Sequence, residues 1–146
     1  MSRPVLLALV SLIVIAPMGV QARETTHNFP AKEAAESELG KAKLYDVPFY
    51  LKGQKHPKVT KVVFEASTEQ STRGAFRSDD DSCQVAFLSA IRELQNTARE
   101  KGGDAIVDIV SITWNQETES SSEYRCVAGS FVVHVGLKGK IVKLAK

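Results

Sequence analysis

The segment Asp79–Lys101 constrains the fold of this chain more than any other feature of its sequence. Its apolar residues recur at the spacing of one helix face, and they are Val85, Phe87, Leu88, Ile91, Leu94 and Ala98. Ser78 is a favoured N-cap residue, and Asp81 follows three positions later as in a capping box. Gly102 and Gly103 end the pattern. We therefore predict a long amphipathic helix that needs a second layer to cover its apolar face.

The rest of the chain is rich in β-branched and apolar segments, which are typical of strands. We predict strands over 58–67, 105–114, 124–137 and 140–144, with an exposed hairpin connection over 115–123. A short helix is expected over 31–39, with Gly40 as its C-cap. This order predicts an α+β domain of two layers, in which the long helix packs on one face of a mainly antiparallel sheet.

Residues 1–22 have the pattern of a secretory signal peptide. A positive charge at position 3 precedes an apolar run over 5–16, and small residues lead to a cleavage site between Ala22 and Arg23. The run is shorter than the roughly 20 residues of a membrane-spanning helix, although a core helix at the N-terminus is an alternative. No cysteine stands at the cleavage site for lipid attachment. We therefore predict a soluble periplasmic protein without a membrane anchor, with one domain over 23–146.

The chain contains two cysteines, Cys83 in the first turn of the predicted helix and Cys126 near the start of a predicted strand. Two cysteines in an exported domain most often form a structural disulfide. The alternative is a reactive thiol at Cys83, because the dipole at a helix N-terminus lowers the pKa of a thiol. Three carboxylates at positions 79 to 81 oppose this alternative, since they destabilise a thiolate. We therefore predict a disulfide between Cys83 and Cys126.

The remaining polar residues form no catalytic, cofactor-binding or metal-binding motif. His27, His56 and His134 have no metal-ligand spacing, and we expect His134 to be a hydrogen-bonded strand residue. Asp104 and Asp108 flank the start of a strand, where they are expected to cap it or to face solvent. The sequence has no phosphate-binding loop and no nucleophile elbow. We expect no cofactor and no catalytic residue.

The charge of the chain is close to balanced, with 19 Lys and Arg residues against 17 Asp and Glu residues. A formal net charge of +2 is too small for a strongly basic nucleic-acid-binding protein, so we expect no nucleic-acid partner. Four lysines mark the C-terminal strand region, and they are Lys138, Lys140, Lys143 and Lys146. We interpret them as the solvated charges of an edge strand, with an anionic-surface patch as the alternative.

Five segments together resemble a family of small exported proteobacterial proteins labelled "excinuclease ATPase subunit". They are SDDDSCQ (78–84), AFLSA (86–90), GGDAIV (102–107), YRC (124–126) and VGLKG (135–139). The label implies DNA repair, which we reject because an excinuclease ATPase needs a phosphate-binding loop and zinc-binding cysteines. The segment DSCQ (81–84), with the following helix and strands, is similar at greater distance to the Rcs envelope-stress sensor lipoprotein family. The same layout is similar to YbjQ-like domains, some of which are labelled heavy-metal-binding.

The resemblance to the sensor family implies a disulfide-bearing α+β domain. Of that family's functional residues, only the paired cysteines map onto this sequence, at Cys83 and Cys126. Its lipidated N-terminal cysteine and its second disulfide have no counterpart in this chain. Membrane tethering and signalling are therefore not carried over.

These observations predict a small periplasmic, non-catalytic module for binding or envelope maintenance. Its partner is expected to be an envelope protein, which would contact the loop 115–123 or the basic C-terminal strand. The alternatives are an enzyme of a type that no motif reveals and a weak metal-binding domain.

Overall fold

A computed structural model of the chain describes residues 14, 16–19 and 22–146. Its elements are β1 (Glu24–Pro30), α1 (Ala31–Glu36), α2 (Glu38–Lys43), β2 (Phe49–Leu51), β3 (Val59–Arg73), α3 (Asp79–Lys101), β4 (Ala105–Thr113), β5 (Gln116–Thr118), β6 (Glu123–Gly129) and β7 (Val132–Leu144). Most of the predicted signal peptide lies outside the described residues, so its cleavage stays a prediction. Among the described residues, no helix is both long enough and apolar enough to cross a membrane.

Strand β7 is the centre of the sheet. One of its edges pairs with β3 along its whole length, from Val132 opposite Arg73 to Leu144 opposite Val59. Its other edge is shared by β6 and β4, which are both antiparallel to β7. Strand β1 extends the sheet beyond β6, and β2 and β5 extend it beyond β4. The pairing of β2 with β4 is parallel and the other pairs in the described chain are antiparallel, so the predicted α+β fold is confirmed.

The long helix α3 covers one face of this sheet and has the predicted bounds. The hydroxyl of Ser78 caps it by accepting a hydrogen bond from the backbone N–H of Asp81 at 3.1 Å. Gly102 ends it in the left-handed conformation, with a φ of 71°. The helix buries its apolar residues as predicted, and they include Phe87, Leu88, Ile91, Leu94 and Ala98. The apolar stripe in the sequence therefore becomes the core.

Two contacts attach α3 to β6. The ring of Phe87 stacks on that of Tyr124, with the ring centroids 4.0 Å apart, and burial raises the pKa of the Tyr124 hydroxyl. The sulfur atoms of Cys83 and Cys126 lie at bonding distance, and the Cα atoms are 5.9 Å apart. Both cysteines are fully buried. The structure thus places the two cysteines as the predicted disulfide requires, and it leaves no accessible thiol at Cys83.

The N-terminal helical region differs from its prediction. The prediction of one helix over 31–39 with Gly40 as its C-cap is wrong, because α1 ends at Glu36 and α2 begins at Glu38. Ser37 lies between them in an extended conformation, and its hydroxyl accepts a hydrogen bond from the N–H of Gly40 at 3.0 Å. Serine is more favourable as an N-cap than inside a helix. Gly40 is buried within α2, where a Cβ atom would collide with backbone oxygens of α1.

The strand boundaries near the C-terminus also differ from the prediction. The prediction of two strands over 124–137 and 140–144 is wrong, because the chain reverses direction between Gly129 and Val132. The turn separates β6 from β7, and β7 then continues without a break to its end. A Cβ atom at Gly139 would lie 2.8 Å and 2.9 Å from side chains of β4, so this glycine lets the two strands lie side by side.

Two other predicted segments are longer or more ordered than expected. Strand β3 runs past the predicted end at residue 67 to Arg73, because its register with β7 is unbroken from Phe64 onward. Within the predicted connection over 115–123, residues 116–118 pair with β4 as β5. The turn of the β4–β5 hairpin lies on the side of the sheet opposite α3.

Candidate functional site

In the described part of the chain, no helix covers the side of the sheet opposite α3, and we call this side the open face. Side chains alternate along a strand, so the contacts of Val135 and Leu137 with the core under α3 place Gly136 and Lys138 on the open face. The open face has two halves of different chemistry. One is an apolar surface around Trp114, and the other is a network of ion pairs around Lys138.

Trp114 lies in the turn of the hairpin that joins β4 to β5. Trp114 and Asn115 form this turn, with φ values of 49° and 63°. Two successive left-handed residues are typical of a type I′ turn, which favours Asn and Gly and disfavours bulky side chains. The Trp114 side chain is also 62% exposed. Both its backbone conformation and its exposure therefore make tryptophan an unfavourable choice for the stability of the fold.

The indole ring of Trp114 has two fixed neighbours. Its Nε1–H donates a hydrogen bond to Oε1 of Glu24 at 3.2 Å, and its ring centroid lies 6.2 Å from that of His134. Phe131, which is 75% exposed, and Val132 lie nearby on the β6–β7 turn. We call Trp114, Phe131, Val132 and His134 the Trp114 platform. Exposed apolar patches with polar rims are typical of interaction sites.

Another exposed aromatic side chain lies in the neighbouring loop between β3 and α3. The N–H of Gly74 donates a hydrogen bond to the carbonyl oxygen of Phe131 at 2.8 Å, which joins this loop to the β6–β7 turn. Phe76 in the loop is fully exposed and has a φ of 66°. Two adjacent turns therefore each expose a phenylalanine to solvent.

Two open depressions flank Trp114. The apolar groove, of about 540 Å³, is lined by Arg23, Glu24, Val127, Phe131, Val132 and His134. The polar hollow, of about 420 Å³, is lined by Ser67, Thr68, Glu69, Ile112, Asn115 and Gly136. Trp114 contributes to the walls of both. These volumes are in the range of small-ligand sites, so each depression can hold a ligand group or a protein side chain.

His134 is a hydrogen-bonded strand residue, as its position in the sequence predicts. Its Nδ1 lies 2.7 Å from Oγ of Ser71 on the adjacent strand β3. A serine and a histidine at this distance have the geometry of a nucleophile and its general base. Within the described residues, no carboxylate forms a hydrogen bond with the His134 ring. The pair therefore lacks the group that orients the histidine in a catalytic triad.

The other two histidines lie apart from this site. His27 Nε2 is 2.9 Å from Oδ2 of Asp79, and the His56 ring packs against Tyr50 with centroids 5.6 Å apart. In residues 14, 16–19 and 22–146, no three His, Cys, Asp or Glu side chains are grouped as a metal site would require.

Arg23, the predicted first residue of the exported protein, is attached to the start of α3. Its guanidinium donates hydrogen bonds to Oδ1 of Asp79 at 2.8 Å and to the carbonyl oxygen of Gly129 at 3.2 Å. The Arg23 hydrogen bond, together with that of His27, holds the pKa of Asp79 below its usual range. These contacts fix the beginning of β1 at the wall of the apolar groove.

The second half of the open face is an ion-pair cluster of Glu65, Asp108, Glu117, Lys138 and Lys140. Lys138 Nζ lies 2.8 Å from Glu117 and 3.0 Å from Glu65, and Lys140 Nζ lies 3.1 Å from Asp108. The hydrogen bond with Glu117, reinforced by Glu65, raises the pKa of Lys138. The same bond lowers the pKa of Glu117. Each of the two lysines therefore has at least one carboxylate partner within the cluster.

The interpretation of these lysines as edge-strand charges is wrong, because β7 is paired on both sides. Lys143, farther along β7, pairs with Asp104 at 3.4 Å. Asp104 acts as a cap, since its Oδ2 accepts a hydrogen bond from the N–H of Leu144 at 2.9 Å, which lowers its pKa. The carboxylate partners also weaken the alternative of an anionic-surface patch.

Sequence reasoning did not find the Trp114 platform. It predicts Trp114 only as the last residue of a strand, and it gives no sign that Phe131 and His134 lie beside it. Their proximity depends on the β6–β7 turn and on the register of three strands, neither of which is visible locally. The one local signal is Asn115 after Trp114 between two strand-like segments, since asparagine is typical of tight hairpin turns.

Comparisons of this chain with protein-family models, with curated proteins and with solved structures found no match. The family resemblance noted from the sequence therefore stays a prediction. The functional proposal depends on the geometry of the open face and on the sequence features already described.

Proposed function

We propose that this protein is a small periplasmic binding module without catalytic activity, which contacts an envelope protein through the Trp114 platform. The observation that carries the proposal is Trp114 itself. It is a large aromatic residue, 62% exposed, in a left-handed turn position where asparagine or glycine costs less conformational energy. Unfavourable backbone conformations are concentrated at functional sites. Tryptophan is also among the residues that contribute most binding energy at protein interfaces.

Two features support a periplasmic location. The N-terminal residues have the composition of an export signal. The cysteine pair lies at disulfide distance, and disulfides persist in oxidising compartments such as the periplasm. The resemblance to the Rcs sensor family, whose disulfide-bearing domain works by protein contact, supports the same class of function.

Site-specific photocrosslinking in intact cells tests the proposal. A photoreactive phenylalanine analogue replaces Phe131 on the platform, and in a matched strain it replaces Phe64, which is 42% exposed on β3 and lies beneath Lys101. We expect the analogue at 131 to give a discrete adduct that mass spectrometry identifies as an envelope protein, and the analogue at 64 to give none. Identical adduct patterns from both positions, or no adduct from 131, would contradict the proposal.

The Ser71–His134 pair favours a hydrolase as the second candidate function. A purified sample assayed with an activated ester such as p-nitrophenyl acetate distinguishes the two candidates. A catalytic serine predicts a fall of about 100-fold or more in hydrolysis by Ser71→Ala. The binding module predicts the same low hydrolysis in the wild type, in Ser71→Ala and in the control Ser67→Ala on the same strand.

A further inference from the structure

We propose that the polar hollow beside Trp114 binds an ammonium group, most simply the side chain of a lysine on the protein partner. The inference rests on the proposed function, because it takes the Trp114 platform as the contact surface and assigns a ligand chemistry to one side of it. Three properties of the hollow support the inference: the aromatic ring of Trp114, the charge of the lining residues and the polar side chains that line it.

Trp114 brings an exposed aromatic ring to the hollow. Its Nε1–H donates a hydrogen bond to Glu24, and the His134 ring lies beside it with the ring centroids 6.2 Å apart. The ring forms part of the wall of the hollow and is largely exposed. Among aromatic side chains, the face of tryptophan attracts cations most strongly. A positively charged group in the hollow would therefore gain a cation–π contact.

The charge of the hollow is negative. Among the described residues that line it, only Glu69 is ionisable, and its carboxylate forms no hydrogen bond or ion pair with another described residue. Lys138, the nearest lysine along the neighbouring strand, is already bound to Glu65 and Glu117. Arg73 lies four residues along β3 from Glu69, about 13 Å away at the rise of a strand. Glu69 is therefore a carboxylate without a partner among the described residues, and it lines the same hollow as Trp114.

The remaining walls provide the other acceptors that an ammonium group needs. A lysine ammonium has three N–H donors. Ser67 and Asn115 line the hollow with Glu69, and each carries a side-chain oxygen of the kind that accepts such a hydrogen bond. Gly136 leaves the floor without a side chain. An anionic ligand would be repelled by the Glu69 carboxylate, so the hollow favours a cation over a carboxylate or phosphate group.

Fluorescence titration tests the inference, because Trp114 is the only tryptophan in the chain and reports on the hollow directly. The probes are Nα-acetyl-lysine methylamide, its neutral Nε-acetylated form, and putrescine, each added to the purified exported protein. We expect a saturable change in emission with the lysine derivative and with putrescine, and none with the neutral form. Tighter binding of the lysine derivative identifies a protein side chain as the source of the ammonium group, and tighter binding of putrescine identifies a free amine.

A pair of isosteric variants assigns the effect to one carboxylate. Glu69→Gln should weaken the binding of the cationic probes about tenfold, as expected when a charge-assisted hydrogen bond is lost. Glu100→Gln, on α3 and outside the hollow, removes one carboxylate in the same way and should bind like the wild type. Equal binding of the neutral and cationic probes, undiminished binding by Glu69→Gln, or no saturable change with any cation would overturn the inference. Crosslinking from position 131 is an independent readout, so a failed ammonium site remains distinguishable from a failed binding function.

Discussion

The face of the sheet under α3 and the open face differ most clearly in how they use aromatic residues. Under α3, Phe87 and Tyr124 are stacked on each other and are 0% and 1% exposed. On the open face, Trp114 and Phe131 are 62% and 75% exposed. The first pair stabilises the fold by burial, which removes apolar surface from water. The second pair contributes little burial, so its presence calls for an explanation other than stability.

Polar groups on the two faces differ in the same way. Gln95, on α3, is buried, and its side-chain amide forms hydrogen bonds with the N–H of Tyr45 and with the carbonyl oxygens of Tyr45 and Val47. Glu69 on the open face has no such partner among the described residues. Under α3, which we call the covered face, the buried amide of Gln95 is hydrogen-bonded within the protein. The open face instead exposes the apolar side chains of Trp114 and Phe131 and the carboxylate of Glu69 to solvent. This contrast is the basis for placing function on the open face.

The largest expected effect comes from truncating a buried aromatic residue, and truncating an exposed one is the matched control. Phe87→Ala should lower the free energy of unfolding by about 3–5 kcal/mol, because it leaves a cavity between α3 and β6. Phe131→Ala should change it by less than about 0.5 kcal/mol, the usual range for an exposed position. Urea denaturation of the two variants measures both values. Similar destabilisation by the two variants would remove the contrast between the faces.

The second prediction concerns the covalent link of the covered face. Replacing Cys83 and Cys126 together by alanine should lower the free energy of unfolding by about 4 kcal/mol, because the residues are 43 positions apart and a bond between them restricts the unfolded chain. Denaturation of the wild type with and without a reductant provides the same comparison. If reduction left stability unchanged, the pair would not be a structural disulfide.

A smaller, pH-dependent effect is expected where β1 meets α3. Asp79 has a lowered pKa in the folded protein, so its stabilising contribution is complete above the unfolded pKa of about 3.9 and is lost as pH falls through the folded value. Asp79→Asn should therefore cost on the order of 1 kcal/mol at pH 7 and progressively less below about pH 4. Asp80→Asn, in the same helical turn, is the control and should cost less at pH 7, because Arg23 and His27 form their hydrogen bonds with Asp79 and not with Asp80. Equal pH profiles for the two variants would show that the contacts of Arg23 and His27 contribute nothing.

The smallest expected effect has the opposite sign. Trp114→Asn places a residue that tolerates the left-handed conformation in the β4–β5 turn, so it should raise the free energy of unfolding by about 0.5–1 kcal/mol. Stabilisation by removing an unfavourable residue is typical of sites that are kept for function. Thermal denaturation checks this value, and a clear loss of stability would show that Trp114 is needed for folding.

The covered face could be predicted from the sequence because its signals are local. Ser78, Asp81 and Gly102 mark the ends of α3 through hydrogen bonds within a few residues, and the apolar stripe between them identifies the buried side. The helix over 31–39 was harder to predict, because the choice between a glycine C-cap and a serine N-cap depends on the close approach of α1 and α2. Local rules succeed where one turn decides the structure.

The open face could not be predicted, because it depends on pairings between distant residues. The run over 124–137 has strand-forming residues on both sides of Gly129, so from the sequence alone this glycine fits a bulge in one strand as well as a turn between two. Without that turn, Phe131 and His134 have no fixed relation to Trp114. The hollow further requires Glu69 to lie opposite Gly136, a register that only the long pairing of β3 with β7 creates.

The most direct test of the Trp114 platform combines the photoreactive analogue at position 131 with Trp114→Asn in the same chain. This variant should fold at least as stably as the protein that carries the analogue alone, as thermal denaturation can verify. If the platform is the contact surface, the adduct with the envelope protein should be lost or strongly reduced while the protein remains folded. An undiminished adduct in a folded Trp114→Asn variant would contradict the central claim that Trp114 is kept for binding.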